Sequence, residues 1–439
     1  MRRYFAGFAL CLLAIAASAQ STPQPQTARN ASSARPLTIR EAEALALQRN
    51  PNITVGTLRA LEAHEFVRET RSALFPSANI SVTAVDSDPG SRISAGFLNN
   101  PVIYPRAAYG ASVTQLITDF GRTSNLVARS QSLAKAEDQN AIATQQQIIL
   151  AVDEAFYNAL GTKALQVVAE QTVKARQDRV DQVDALTKAK LKSDLDLSFS
   201  SVDLARAKLL LLDAQSNYEA SLSTLSAILG FTDRQDFVPV APEEAIAPPA
   251  PDAAPLVQQA LDQRPDVRAL QQELTAAVKF SKAEHDLWWP TVSAAGAVGQ
   301  APVRDDHISS WYGAVGVNIN IPVFNGFLYN ARAKSADLET EVKQNQLRSL
   351  QESVARDVRN SWLETRKAYE RLRVTKQLEE QASQALQLAE ARYKLGLGSI
   401  VEYSQAELAK TDADLQDADA RYRYFLSQIE LAYQTGTPR

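Results

Sequence analysis

Few side chains in this sequence are placed for covalent chemistry. The three histidines, His64, His285 and His307, stand far apart, and none has a metal-ligand or nucleophile spacing. Asp305-Asp306-His307 falls in a predicted outer loop and is not read as a metal site. The one cysteine is Cys11, and no phosphate-binding loop appears. The expectation is therefore no enzyme, no cofactor and no metal. What remains is charge and small residues at two turns. Ser193-Asp194-Leu195-Asp196 and Ser399-Ile400-Val401-Glu402 each read as a capping box. In such a box the serine accepts from the backbone three residues on, and the carboxylate reaches back to a free N–H. Lys188-Ala189-Lys190-Leu191-Lys192 precedes the first box and Gly396-Leu397-Gly398 the second. The chemistry on offer is non-covalent: capping, charge at a turn, and the close backbone approach that glycine permits.

Very long helices must carry these turns. Residues 328–395 contain no proline and no glycine. At 1.5 Å per residue an unbroken helix of that length reaches about 100 Å. Residues 125–192 hold no proline and only Gly161. Each long helix is followed by a capping box and a second helix, ending at Gly230 and Gly436 respectively. Ser193 and Ser399 are 206 positions apart, and so are Gly230 and Gly436. A constant offset over that length identifies a duplication.

The duplication sets the domain plan: a first repeat at 37–230, a connector at 231–253 and a second repeat at 254–436, with a tail at 437–439. The connector carries prolines at 239, 242, 248, 249 and 251 and reads as extended. Leu37-Thr38-Ile39-Arg40-Glu41 opens the first repeat with another capping box. Asn50-Pro51 and Arg264-Pro265 break the helices at equivalent places, and Pro76 and Pro290 end them.

After each of these prolines the period changes to two. Strands are expected within 76–118 and 290–324, with the helical hairpins at 121–230 and 327–436. Ile80, Val82 and Ala84 alternate with Asn79, Ser81 and Thr83, and Ala111 and Val113 with Ser112 and Thr114. Val315, Val317, Ile319 and Ile321 alternate with Ala314, Gly316, Asn318 and Asn320. Each strand is about ten residues, the length that crosses a bilayer when tilted. Phe75, Trp288, Trp289 and Phe324 lie at one end of the strands, and Tyr104, Tyr109, Trp311 and Tyr312 at the other. That distribution matches the aromatic girdles of membrane barrels. Four strands cannot close a barrel, and open edges are not tolerated in lipid, so a membrane reading requires several copies to share one barrel. The alternative is a soluble coiled-coil scaffold, which accounts for the helices but not for the strands or the aromatic clusters.

The chain has 439 residues, a net charge of −4 and a pI near 5.7. It has no basic cluster, so nucleic acid is not an expected partner. Residues 1–19 read as a signal peptide: Arg2 and Arg3, an apolar run over 5–16, and Ala17-Ser18-Ala19 as the cleavage site. Cys11 lies inside it, and Leu10 before that cysteine argues against lipidation. Residues 20–36, rich in Ser, Thr, Pro, Gln and Ala, are expected to be disordered.

The order and spacing of these features resemble the TolC family of outer-membrane efflux proteins over nearly all of the mature chain. The carrying residues are the two Asn50-Pro51 and Arg264-Pro265 breaks, Pro76 and Pro290, Asp119-Phe120-Gly121 and Phe324-Asn325-Gly326, and the stretch from Tyr393 to Glu402 at the second tip. The resemblance implies a mainly α fold with a small β part. Long antiparallel hairpins would form an α-barrel in a homotrimer, and four strands per chain would enter a shared twelve-stranded transmembrane β-barrel. It implies location in the outer membrane, with a long periplasmic extension and outer-membrane lipid around the barrel. It further implies a passive exit duct for tripartite efflux or type I secretion. The partners would be a periplasmic adaptor protein and an inner-membrane pump of RND, ABC or MFS type. The family's first ring aspartate falls at Glu402 and its second ring position at Gln405, which makes a cation-preferring periplasmic gate the expectation. A closing link would join Tyr393 to Asp196. The family's second link, from an arginine to a threonine, has Gly398 and Leu195 at its positions and cannot form. Adaptor docking is expected at Gly396, Leu397, Gly398 and Ser399. It is also expected at Lys190 and Ser193, on a first tip that departs from the glycine-bearing pattern.

Overall fold

The structure is a computed structural model and describes residues 35–88, 105–242, 246–304 and 309–437. The signal peptide, most of the segment expected to be disordered, Tyr104 and Asp305-Asp306-His307 lie outside the described residues. In chain order the first half comprises β1 (Arg35–Leu37), α1 (Ile39–Arg49), α2 (Pro51–Ser72), β2 (Ser77–Val85), β3 (Arg106–Thr118), α3 (Arg122–Lys188) and α4 (Asp194–Ile228). The connector holds β4 (Phe237–Pro239). The second half comprises α5 (Ala254–Gln263), α6 (Pro265–His285), β5 (Thr291–Val303), β6 (Trp311–Asn320), α7 (Leu328–Lys394) and α8 (Ile400–Gln434). Helices α3 and α7 each have 67 residues, and α4 and α8 each have 35.

Each short column stacks end to end with another, and the joints explain the duplicated breaks. Asn50 caps α2 by accepting from Asn52 N at 3.0 Å, and Pro51 supplies the fixed φ of a first helical turn. The Asn50 amide also donates to Ile228 O at 3.1 Å, tying α2 to the end of α4. Arg264 makes no such cap. Its guanidinium bridges Asp266 at 2.7 Å and Gln434 Oε1 at 2.6 Å, tying α6 to the end of α8. Past each joint the chain turns left-handed at Gly230 (φ 84°) and Gly436 (φ 77°). A Cβ at Gly230 would lie 3.1 Å from Arg49 O, and one at Gly436 3.0 Å from Arg264 N. Glycine is required there for both conformation and space.

The main core surrounds these joints. Leu37, Val152, Phe156, Leu225, Leu229 and Phe237 are buried together from β1, α3, α4 and β4. A smaller counterpart of Val257, Val267, Val354 and Val358 unites α5, α6 and α7. The Thr38–Glu41 capping box forms as the sequence requires. Arg35 and Pro36, expected in the disordered segment, instead pair in parallel with Phe237 and Val238. The reason is that Leu37 is drawn into the core and carries its neighbours onto β4. The connector is pinned further on, where Trp362 Nε1 donates to Ala250 O at 2.8 Å and the Tyr424 hydroxyl donates to Ala247 O.

At the other end, β2-β3-β5-β6 form one antiparallel sheet in that order. Register places Ile80 beside Ala111, Ala111 beside Val298, and Val298 beside Gly313. The predicted apolar alternation therefore lines up on one face. That face is bare: Val315 is 91% exposed, Ile80 83% and Val82 79%. At the sheet base, Phe120 stacks on Trp289 at 5.5 Å, and Phe324 meets Phe327 edge-on at 5.8 Å. Among the described residues no helix is long and apolar enough to cross a membrane.

The helices keep the order of the strands. Near the sheet, α3 packs on α2 and α6, and α6 packs on α7; toward the tips, α3 packs on α4 and α8, and α8 packs on α7. One lateral edge of the chain is thus β2, α2 and α4, and the other is β6 and α7. The helices at both edges carry exposed apolar side chains, among them Leu58 and Leu61 on α2, Leu209 and Leu212 on α4, and Leu363 and Leu388 on α7.

Substitution of the left-handed glycines at the tip and at the joints separates strain from crowding. Gly396→Ala, at φ 71° with open space around it, is expected to lose about 1–2 kcal/mol from left-handed strain alone. Gly230→Ala and Gly436→Ala are expected to lose about 1–3 kcal/mol more through overpacking. Denaturant unfolding followed by helical circular dichroism checks the order.

Candidate functional site at the helical tips

Both long helices end in the same turn. Leu191 N donates to Leu186 O and Leu397 N to Arg392 O, each at 2.9 Å, which is a Schellman closure. The left-handed residue is Gly396 (φ 71°) at the second tip and Lys190 (φ 56°), its equivalent 206 positions earlier, at the first. The absence of glycine in the lysine-rich tip leaves the fold of the turn intact and moves the strain onto Lys190. Lys190, Gly396, Leu397 and Ser399 are exposed at the apices, and Ser193 begins α4 beside them.

The two caps differ. Ser193 Oγ accepts from Asp196 N at 3.2 Å, and Asp196 Oδ2 accepts from Ser193 N at 3.3 Å, a complete capping box. Ser399 Oγ accepts from Glu402 N at 3.1 Å, but the Glu402 carboxylate does not return to Ser399 N. The predicted second capping box is therefore only half formed. The Glu402 carboxylate instead meets Arg392 Nε at 3.2 Å.

Tyr393 is buried in the seam between the hairpins. Its ring stacks on Tyr403 at 5.5 Å, with the Lys192 ammonium 3.8 Å from the ring centroid. Its hydroxyl makes no hydrogen bond. Burial, and then the negative charge of Asp196, push the phenol pKa up. The Tyr393–Asp196 hydrogen bond is thus not made within this chain, because Asp196 is engaged with its own helix cap. Gln405 lies on the exposed face of α8 with Glu402, while Gly398 and Leu195 bring no polar side chain to the seam.

A buried polar cluster a few turns above the tip escaped sequence reasoning. Glu407 on α8 accepts from Arg176 Nη1 at 2.6 Å and is also paired with Arg179, both from α3. Arg176 Nη2 donates to Thr411 Oγ1 at 3.2 Å. Ser404 Oγ donates to Asp203 of α4. The Arg179 guanidinium lies 3.8 Å from the Tyr403 ring centroid. Arg176, Arg179, Asp203 and Glu407 are all at most 6% exposed. Desolvation pulls both guanidinium pKa values down from their ordinary range. Two cations and two anions so confined pin α8 against α3 and α4. The only trace in the sequence is Arg176 and Arg179 on one helical face, since their partner lies more than two hundred residues away.

Comparison with known proteins gives a consistent result. The family described as outer membrane efflux protein matches residues 44–231 and 256–437. Outer membrane protein TolC of Escherichia coli is 24% identical over 411 residues, covering 88% of this chain and 80% of that protein. The toluene efflux pump outer membrane protein TtgC of Pseudomonas putida is 22% identical, covering 82% of this chain and 75% of that protein. The crystal structure of VceC from Vibrio cholerae superposes with a TM-score of 0.77 at 18% identity, over 91% of this chain and 96% of that one. The open state of the Neisseria gonorrhoeae MtrE channel gives 0.76 at 18% identity, over 91% and 89%.

Removing the carboxylate in Glu407→Ala leaves two buried guanidinium groups facing each other. The expected cost is about 3–5 kcal/mol. It should appear as faster amide exchange over residues 400–411. Glu364→Ala removes an exposed partner of Lys367 and is expected to cost under about 1 kcal/mol.

Proposed function

As a member of the outer membrane efflux protein family this chain is an outer-membrane channel, and we propose that it works as a homotrimeric, passive exit duct. The observation that carries this reading is the pair of open lateral edges, ordered alike in the sheet and in the helices. Pairing β6 of one copy with β2 of the next continues the ladder, and the same step brings α7 of one copy against α2 and α4 of the next. Three copies of a four-stranded sheet make twelve strands, enough to close a barrel in lipid. The bare apolar face carrying Val315, Ile80 and Val82 then meets lipid, with the aromatic residues at the interfaces. A soluble coiled-coil scaffold would leave that face in water, and the family relationship argues against it.

Relatives such as TtgC are named as parts of efflux pumps. On that basis a periplasmic adaptor and an inner-membrane pump complete the assembly, the pump being of RND, ABC or MFS type. The chain carries no nucleotide-binding loop, so the energy would come from that pump. Gly396, Leu397, Gly398 and Ser399, with Lys190 and Ser193 on the first tip, form the proposed adaptor docking surface. Glu402 and Gln405 form the proposed gate ring, with Tyr393 and Asp196 in the closing seam. Without an arginine at position 398, closure rests on the Arg176, Arg179, Asp203 and Glu407 cluster.

Two measurements test this reading. The detergent-corrected mass of protein extracted from the outer membrane is expected to be three times that of the mature chain. A monomer or dimer that needs no detergent would overturn the duct. Glu407→Gln, which weakens the buried seam, is expected to raise single-channel conductance in planar bilayers above that of the wild type.

A further inference from the structure

We infer that Arg392 is the resident counter-ion of the Glu402 ring and sets the ion preference of the channel. The inference rests on the gate reading above. Its ground is a contrast between the duplicated tips. At the first tip the three equivalent positions are Leu186, Lys192 and Asp196; at the second they are Arg392, Gly398 and Glu402. Where leucine stands, the carboxylate turns back and completes its helix cap. Where arginine stands, the carboxylate leaves the cap and takes the guanidinium at 3.2 Å.

The arginine is held for that purpose. Arg392 Nη2 donates to Leu397 O at 3.1 Å, and Gly398 N donates to Arg392 O at 3.2 Å. The guanidinium is therefore braced across the turn. Gly398 provides the space: a Cβ there would lie 3.1 Å from Glu402 Oε2 and 3.2 Å from Arg392 Cβ. Lys394, the next cation on α7, is engaged by Glu390 at 2.6 Å and does not compete. Gln405, the other proposed ring residue, is neutral. Each chain thus brings a paired charge to the constriction rather than a bare carboxylate. The field that would select cations is reduced, since a ring of fixed charge selects by its net value.

The test is the reversal potential of reconstituted trimers across a KCl gradient. Removing one unit charge about 10 Å from the ion path in water changes a permeability ratio about two- to fourfold, the lower figure once salt screening is included. Arg392→Gln is expected to raise the potassium-to-chloride ratio by that amount. Gly398→Ala should move it the same way by less, by pressing Glu402 off its partner. Glu402→Gln should lower the ratio, and the double variant Arg392→Gln/Glu402→Gln should return near the wild type. All are compared as trimers of wild-type mass, so that a misassembled variant is not scored. A shift with Glu402→Gln but none with Arg392→Gln overturns the proposal and leaves the gate reading standing. No shift in any variant removes Glu402 from the constriction and overturns both.

Discussion

The constraint on which this structure depends is that a sheet cannot stop at an open edge in lipid. Every backbone donor and acceptor there needs a partner, and water is not available to supply one. The four-stranded sheet of this chain ends at β2 and β6, each with one side unpaired among the described residues. The helices inherit the same order and the same open sides, because each strand runs directly into or out of the helix beneath it. Closure of one layer therefore dictates closure of the other. A chain of this design is a wall segment, and its apolar edges are joints between copies.

The duplication shows that geometry, rather than residue identity, is what both halves share. The column joints are made by Asn50 on a carbonyl in one half and by the Arg264 fork on Asp266 and Gln434 in the other. The tip turn uses Lys190 once and Gly396 once in the left-handed region. The residues that differ are those that meet different surroundings, because the second hairpin packs its α8 against α3 while the first leaves α4 at an edge.

The buried cluster at the seam has a different character from the surface ion pairs that cover the long helices. Exposed pairs such as Lys367 with Glu364 contribute little, being screened by water. Arg176, Arg179, Asp203 and Glu407 lie where water is excluded, so breaking any one contact strands a charge. Such a joint is stiff while closed and costly to leave half open. In the proposed gate, such a seam would hold one arrangement until it is forced into another.

The sequence by itself determined the architecture of a single half and its repetition. Helix length, the change of period at Pro76 and Pro290, the breaks at Asn50-Pro51 and Arg264-Pro265, and the Thr38 and Ser193 caps were all legible, because each depends on neighbours within one turn or one strand. The pairing of Arg35 and Pro36 with β4 was not legible, because it follows from the burial of Leu37 against a core assembled from the first repeat, Phe237 of the connector and Phe425 and Ile429 of α8. Nor was the fate of Glu402. Its spacing from Ser399 specifies a cap as clearly as that of Asp196 from Ser193, yet its carboxylate goes to Arg392. The choice turns on Arg392 standing where the first tip has Leu186, with Gly398 leaving the space once the turn has folded. The seam of Arg176 and Arg179 with Glu407 was hidden for the same reason. Local hydrogen bonding is written in adjacent residues, whereas the partner of a buried charge is decided only when distant helices meet and water is removed between them.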